Sequence, residues 1–172
     1  MRMPPAARSK VLSREEAART VRRAQRRGER VVFTSGCFDL LHVGHVRSLE
    51  QARALGDRLL VAVNADATVR RLKGTGRPVV PARQRAEVLA ALACVDWVTT
   101  FAEPTPRESL RRIRPDVFAK GGDWPLATLR AQDVPDELDV EVRRLRQVPG
   151  ARTSGIVERI RKRDGASGRR SQ

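Results

Sequence analysis

The segment RVVFTSGCFDLLHVGH, Arg30 to His45, contains both histidines of a 172-residue chain. Its first part, RVVFTS, is a short apolar run rich in β-branched residues, which reads as a buried strand. GHVRSLEQARAL follows with helical periodicity and is closed by Gly56, and RLLVAVN (58–64) is a second buried strand. Strand, loop, helix, strand is the repeating unit of a parallel sheet. Ligands in such sheets bind at the carboxyl ends of the strands, where loops and helix N-termini meet. Both histidines stand in that loop, three residues apart with Gly44 between them.

The same alternation continues outward. A short helix is expected near DATVRRL (66–72), then a polar loop KGTGRPVVP, a helix in ARQRAEVLAALA (82–93) and a strand in DWVTTF (96–101). TPRESLRRI fits a helix, DVFAK and DVEVRRL two further strands, and TSGIVERIRKR a closing helix. The expected fold is an α/β, Rossmann-like doubly wound parallel sheet in a single domain, residues 30–163. Upstream, Ser13 followed by Glu15 and Glu16 marks a helix start and Gly28 a stop. Residues 1–29 therefore read as a basic helical extension, and residues 164–172 as a disordered basic tail.

Composition narrows the function classes. No apolar run reaches the roughly 18 residues of a membrane span, and the first residues lack a signal-peptide core, so a cytoplasmic protein with no membrane partner is expected. Two cysteines do not make a disulfide framework. The net charge of +15 points toward polyanions, but it is unevenly placed. Residues 1–30 carry ten Lys/Arg against three Glu and residues 159–172 six against one, leaving 19 against 16 in between. A nucleic-acid-binding protein that uses these basic ends is thus a rival reading, disfavoured by the nearly neutral body.

In the histidine loop, Gly36 permits close backbone approach after the strand, and Gly44 lets the chain pass near a ligand as it enters the helix. His45 falls at or near the first helical turn, where the helix dipole favours anions. Imidazole N–H groups and backbone amides converging there suit the oxygens of phosphate. Two other readings stay open on the residues alone. Zinc would need a third ligand, and the chain has neither HExxH nor paired CxxC, so no protein metal site is expected. Cys37 beside a histidine base would need an orienting partner and an activating environment. The phosphate-binding loop GxxxxGK[ST] is absent, and GTGRP does not follow a strand as a dinucleotide fingerprint does.

GCFDLLHVGH resembles the GxFDxxHxGH signature of the cytidylyltransferase-like nucleotidyltransferases. The likeness runs from about residue 30 to 160, through VNADATVRRLKGTGRPVVPARQRAEVLAALACVDWV and DVFAKGGDW to TSGIVERI. Within that superfamily, LKGTGRPVVPARQRAEVLAAL and AKGGD are similar to the heptose 1-phosphate adenylyltransferase branch in its stand-alone form. The resemblance implies attack of a sugar 1-phosphate on the α-phosphorus of ATP, with Mg2+ as cofactor, loss of pyrophosphate and formation of an ADP-sugar. A cytidylyltransferase using CTP and glycerol 3-phosphate or another alcohol phosphate is the alternative within the fold, and a homodimer is left open.

The resemblance also implies site residues. His42, His45 and Lys120 would stabilise charge at the α-phosphorus. Ser35, Gly36, Cys37, Phe38, Asp39 and Gly44 would surround the nucleotide, with Asp39 and Asp123 as nucleotide or magnesium contacts. Lys73, Arg77 and Arg85 would hold the acceptor phosphate. Thr153 and Ser154 would receive the β- and γ-phosphates at the start of the last helix, with Arg159 on that helix. Arg152 stands where relatives usually carry serine, and Ser35 where they carry asparagine. The span DWPLATLRAQDVPDELDVE also departs from the pattern.

Overall fold

Side-chain alternation along the first strand, β1 (Val31–Gly36), divides the interior in two. Val31 and Phe33 turn to one face of the sheet and Val32 to the other. The same split recurs in β2 (Arg58–Asn64), where Leu60 and Ala62 oppose Leu59, Val61 and Val63, and in β4 (Val117–Gly121), where Phe118 opposes Val117 and Ala119. With β3 (Trp97–Phe101) and β5 (Glu141–Leu145) these strands form one parallel sheet in the order β3-β2-β1-β4-β5. These relations come from a computed structural model that describes residues 6–122 and 125–167, the last four by backbone alone. Strands buried on both faces are near-continuous in apolar residues, as RLLVAVN is, because helices cover both sides.

One face is covered by α1 (Arg14–Arg26), α5 (Arg107–Ile113) and the segment Val134–Val140, which pack on Phe33 and Phe118. Those two rings lie 6.1 Å apart in a tilted pair on neighbouring strands. The other face is covered by α2 (Val43–Arg53) and α4 (Ala82–Ala90), through Leu49, Ala52, Ala86, Leu89 and Ala90. Helix α3 (Asp66–Lys73) leads from β2 into the loop before α4. Helices α6 (Leu126–Asp133) and α7 (Thr153–Ser167) flank β5 in sequence.

Three expectations change. Helix α1, read as an extension, is a layer of the fold: Ala17, Ala18, Val21 and Ala24 are buried on the sheet, and Leu12 packs beside them. Its capping box joins Ser13 to Glu16, as the sequence implied. Helix α6 was not anticipated. Helix α7 continues to Ser167, so the first four residues of the segment expected as a disordered tail have helical backbone, while residues 168–172 lie outside the described residues. Among the described residues no helix is long and apolar enough to cross a membrane.

The chain runs from β1 to β2 and β3 on one side and then returns to β4 and β5 on the other side of β1. The crevice between the carboxyl ends of β1 and β4 is therefore the switch point at which open α/β sheets bind ligands.

Candidate functional site at the end of the first strand

The loop leaving β1 is shaped by unusual backbone. Phe38 and Leu40 both adopt left-handed conformations, with φ of 48° and 51°. Such conformations cost of order 1–3 kcal/mol per non-glycine residue and persist only when their surroundings fix them. Asp39 lies between them and supplies the fixation. Its side chain is almost fully buried and accepts hydrogen bonds from the amides of Val79 (2.9 Å) and Val80 (3.0 Å) and from Nε of Arg77 (2.6 Å). Burial alone would raise the Asp39 pKa, but those amides and the guanidinium more than offset it and hold the carboxyl below its ordinary range. The Thr153 hydroxyl donates to the Asp39 carbonyl at 2.9 Å, tying the start of α7 to the same loop.

His42 is the N-cap of α2, and its Nδ1 accepts from the amide of Gly44 at 3.1 Å. A ring whose Nδ1 accepts is neutral with its proton on Nε2, so His42 presents an N–H donor. One helical turn on, His45 stacks against it with ring centroids 3.8 Å apart. Phe38 meets His45 edge-on at 5.4 Å. Burial pushes the His45 pKa down to about 4, with the neighbouring His42 adding to the shift and Asp39 opposing it. Burial also lowers His42. Both imidazoles are therefore neutral near pH 7, and Nδ1 of His45 is buried with no hydrogen-bond partner. A Cβ on Gly44 would stand 2.8 Å from the Cβ of Ala151 and 2.9 Å from the His42 ring, so the glycine makes room for the capping ring and the last loop.

These residues line a cleft of about 510 Å³. It brings together Cys37, Phe38, Asp39, His42, Gly44, His45, Lys73, Arg77, Thr153 and Ser154, all expected from the sequence. A smaller hollow of about 180 Å³ shares Cys37, Phe38 and His45 with it and adds Ser35 and Gly36 beside Gly121 of β4, which is the β1/β4 crevice. Ser48, Gly121, Gly122, Gln147, Val148, Ala151 and Arg152 also line the cleft without having been assigned to it. Ser48 was recoverable, because it lies three residues after His45 and so on the same helix face. Gln147 carried no local signal.

Three expected residues stand elsewhere. Arg85 is 2% exposed and lies outside both hollows. Its guanidinium donates to the carbonyls of Val80 (2.8 Å), Asn64 (2.8 Å) and Cys37 and pairs with Asp66 at 2.7 Å. Expected as an acceptor-phosphate ligand, it instead ties four points of the strand-end loops together. Lys120, the penultimate residue of β4, sets its ammonium on the buried carboxylate of Asp133 and does not line the cleft. Arg159 is exposed on α7 and also lies off the cleft. Asp123 lies outside the described residues.

Cys37 makes a poor nucleophile here. Burial raises its thiol pKa despite the nearby charges of Lys73, Arg85 and Arg77, and the thiol donates to Asn64 Oδ1 at 3.8 Å. Among the described residues no group of three His, Cys, Asp or Glu side chains converges to hold a metal, and the carboxylate of Asp39 is already occupied.

A parallel sheet whose switch-point crevice is walled by neutral imidazoles, helix N-termini and cations defines a phosphate-binding α/β protein of the nucleotide-handling type. The chain belongs to the cytidylyltransferase-like family, whose model matches residues 33–167. It is similar to the bifunctional protein HldE of Azotobacter vinelandii, 52% identical over 152 residues, and of Pseudomonas aeruginosa, 50% identical over 153 residues. These matches cover 88% and 89% of this chain and 32% of each relative, so the chain spans about a third of their length. A solved structure, the lipopolysaccharide core biosynthesis protein from Thermoplasma volcanium, matches 70% of this chain and 99% of its own at 27% identity, with a TM-score of 0.63.

Proposed function

We propose that the chain transfers AMP from ATP to a heptose 1-phosphate, releasing pyrophosphate and forming an ADP-sugar. The observation that carries this reading is the stacked, neutral histidine pair in the β1/β4 crevice, beside the amino end of α7. Support for the heptose acceptor comes from the HldE relatives, at about half identity over most of the chain. The structural relative named for lipopolysaccharide core biosynthesis adds to it.

In this reading an oxygen of the sugar phosphate attacks the α-phosphorus of ATP, a P–O bond to it forms, and the bond to the bridging oxygen of pyrophosphate breaks. The nucleophile is anionic near neutral pH, so no general base is needed. The chain supplies orientation and electrostatic stabilisation. Nε2–H of His42 and the ring of His45 donate to the oxygens of the transferring group. Both can donate while neutral, so burial of His45 strands no charge. Lys73 and Arg77 face the acceptor phosphate. Arg77 is held in place by Asp39, which anchors the loop instead of meeting the nucleotide.

Magnesium enters as the ion that accompanies the triphosphate, whose charge it offsets. The described cleft residues do not fit a protein-held magnesium site, and no step depends on one.

The test is pyrophosphate release with ATP or CTP against heptose 1-phosphate and glycerol 3-phosphate. Turnover with ATP and heptose 1-phosphate is expected. Turnover with CTP and glycerol 3-phosphate, and none with ATP, would overturn the proposal.

A further inference from the structure

We propose that Gln51 is a positioning residue for nucleotide binding: its carboxamide pins the loop that leaves β5 to the helix that carries His45, and so sets the cleft wall formed by Gln147 and Val148. This rests on the nucleotidyl-transfer reading. Gln51 lies on α2, two helical turns beyond Gly44 and one beyond Ser48, and does not itself line the cleft.

The pin answers a local need. Strands β4 and β5 pair as far as Gly121 and Leu145, and β4 then gives way to Gly122, so Arg146 has no strand partner among the described residues. The Gln51 side chain takes that place. Its Oε1 accepts from the Arg146 amide at 2.9 Å, and its Nε2 donates to the Arg146 carbonyl at 3.3 Å. Serving both groups takes an acceptor and a donor on one side chain, which a carboxamide has and a carboxylate or an ammonium lacks. The contact joins residues 95 apart in sequence.

The loop is thereby held at both ends. Near α7, Ala151 abuts Gly44, where an added Cβ would stand 2.8 Å from it, and the Thr153 hydroxyl donates to the Asp39 carbonyl at 2.9 Å. Gln51 supplies the fastening at the β5 end. Between these points lie Gln147 and Val148, which line the cleft, and Gly150, whose φ of 74° turns the chain. A loop fixed at one end alone would be ordered by the nucleotide with a loss of affinity, whereas one fixed at both ends is preorganised. Lys73 and Arg77, assigned to the acceptor phosphate, follow β2 on the other side of β1, and Arg77 is held by Asp39. The pin therefore acts on the nucleotide and not on the acceptor.

The test compares the full chain with Gln51→Leu, which keeps the volume and loses both bonds, and Gln51→Glu, which keeps only the acceptor. In amide hydrogen exchange, Arg146 should lose about tenfold or more of its protection in Gln51→Leu and much less in Gln51→Glu. In turnover, Gln51→Leu should raise the KM for ATP about fivefold, with kcat and the acceptor KM within about twofold of the wild type. Gln51→Glu should fall between the two. Both bonds are exposed, so the melting temperature should move by no more than about 2 °C. Unaltered exchange at Arg146, an unchanged KM for ATP, equal rises in both KM values, or a loss confined to kcat would each overturn the assignment while leaving the wider function intact. A wild-type chain that turns over no ATP would remove both, whatever the exchange at Arg146 shows.

Discussion

Replacing Arg85 with alanine should destabilise this protein without removing a ligand contact. The guanidinium serves three carbonyl oxygens, of Val80, Cys37 and Asn64, and the carboxylate of Asp66. Its removal leaves the carbonyls without their donor, at about 1 kcal/mol each. The Asp66 side chain is one-third exposed and can turn to water, so its lost partner counts for less. Loss of the buried arginine stem adds about 1 kcal/mol of packing. The sum is about 3–5 kcal/mol, within the range for breaking a buried ion pair and a large share of a marginal stability. For a chain of this size that corresponds to a fall in melting temperature of roughly 8–15 °C. Circular dichroism melts and urea titrations would read it, with a lower midpoint at unchanged slope. Arg85→Lys should recover less than half, because an ammonium cannot reproduce the fork. Melting within about 2 °C of the wild type, together with a raised KM for the sugar phosphate alone, would refute this reasoning and return Arg85 to acceptor binding.

Acid should destabilise the fold through His45. Its pKa is about 4 in the folded chain against 6.5 for the unperturbed group, so between those values the unfolded state binds a proton that the folded state refuses. The resulting stability is complete above about 6.5 and declines as pH falls toward 4; His45→Gln should flatten urea midpoints measured across that window, and equal acid sensitivity in both proteins would contradict the burial account. Deleting residues 1–28 should abolish cooperative unfolding, since it strips Ala17, Val21 and Ala24 from the sheet; a sharp melt and full turnover in the shortened chain would show α1 to be dispensable.

The fold was legible where side-chain period and strand length agree. RLLVAVN became β2 over the same residues, Arg58–Asn64, because a strand buried on both faces leaves an uninterrupted apolar run. Ser13 capped α1 through Glu16, since a capping box is entirely local. Helix α6 was missed for the converse reason: Pro125 precedes it with no side-chain cap, and only Leu129 and Asp133 of its residues are buried. The histidine cleft was readable because the strand, the glycines and the imidazoles lie within sixteen residues. The buried bonds of Arg85 and Asp39 were not legible because their partners are distant in sequence. Asp66 lies 19 residues from Arg85, and the amides of Val79 and Val80 lie 40 and 41 residues from Asp39. A charged residue near a motif has the same local appearance whether it meets a ligand or a buried carbonyl.

In the proposed reaction the paired imidazoles, and no thiol, act on the transferring phosphoryl group. The most direct measurement is kcat for His45→Ala beside Cys37→Ser, in proteins shown by melting to be folded. His45→Ala should lower kcat by roughly a hundredfold or more, the scale for loss of one preorganised donor. Cys37→Ser should keep substantial activity. Loss of turnover in folded Cys37→Ser, with His45→Ala within a few fold of the wild type, would contradict the claim.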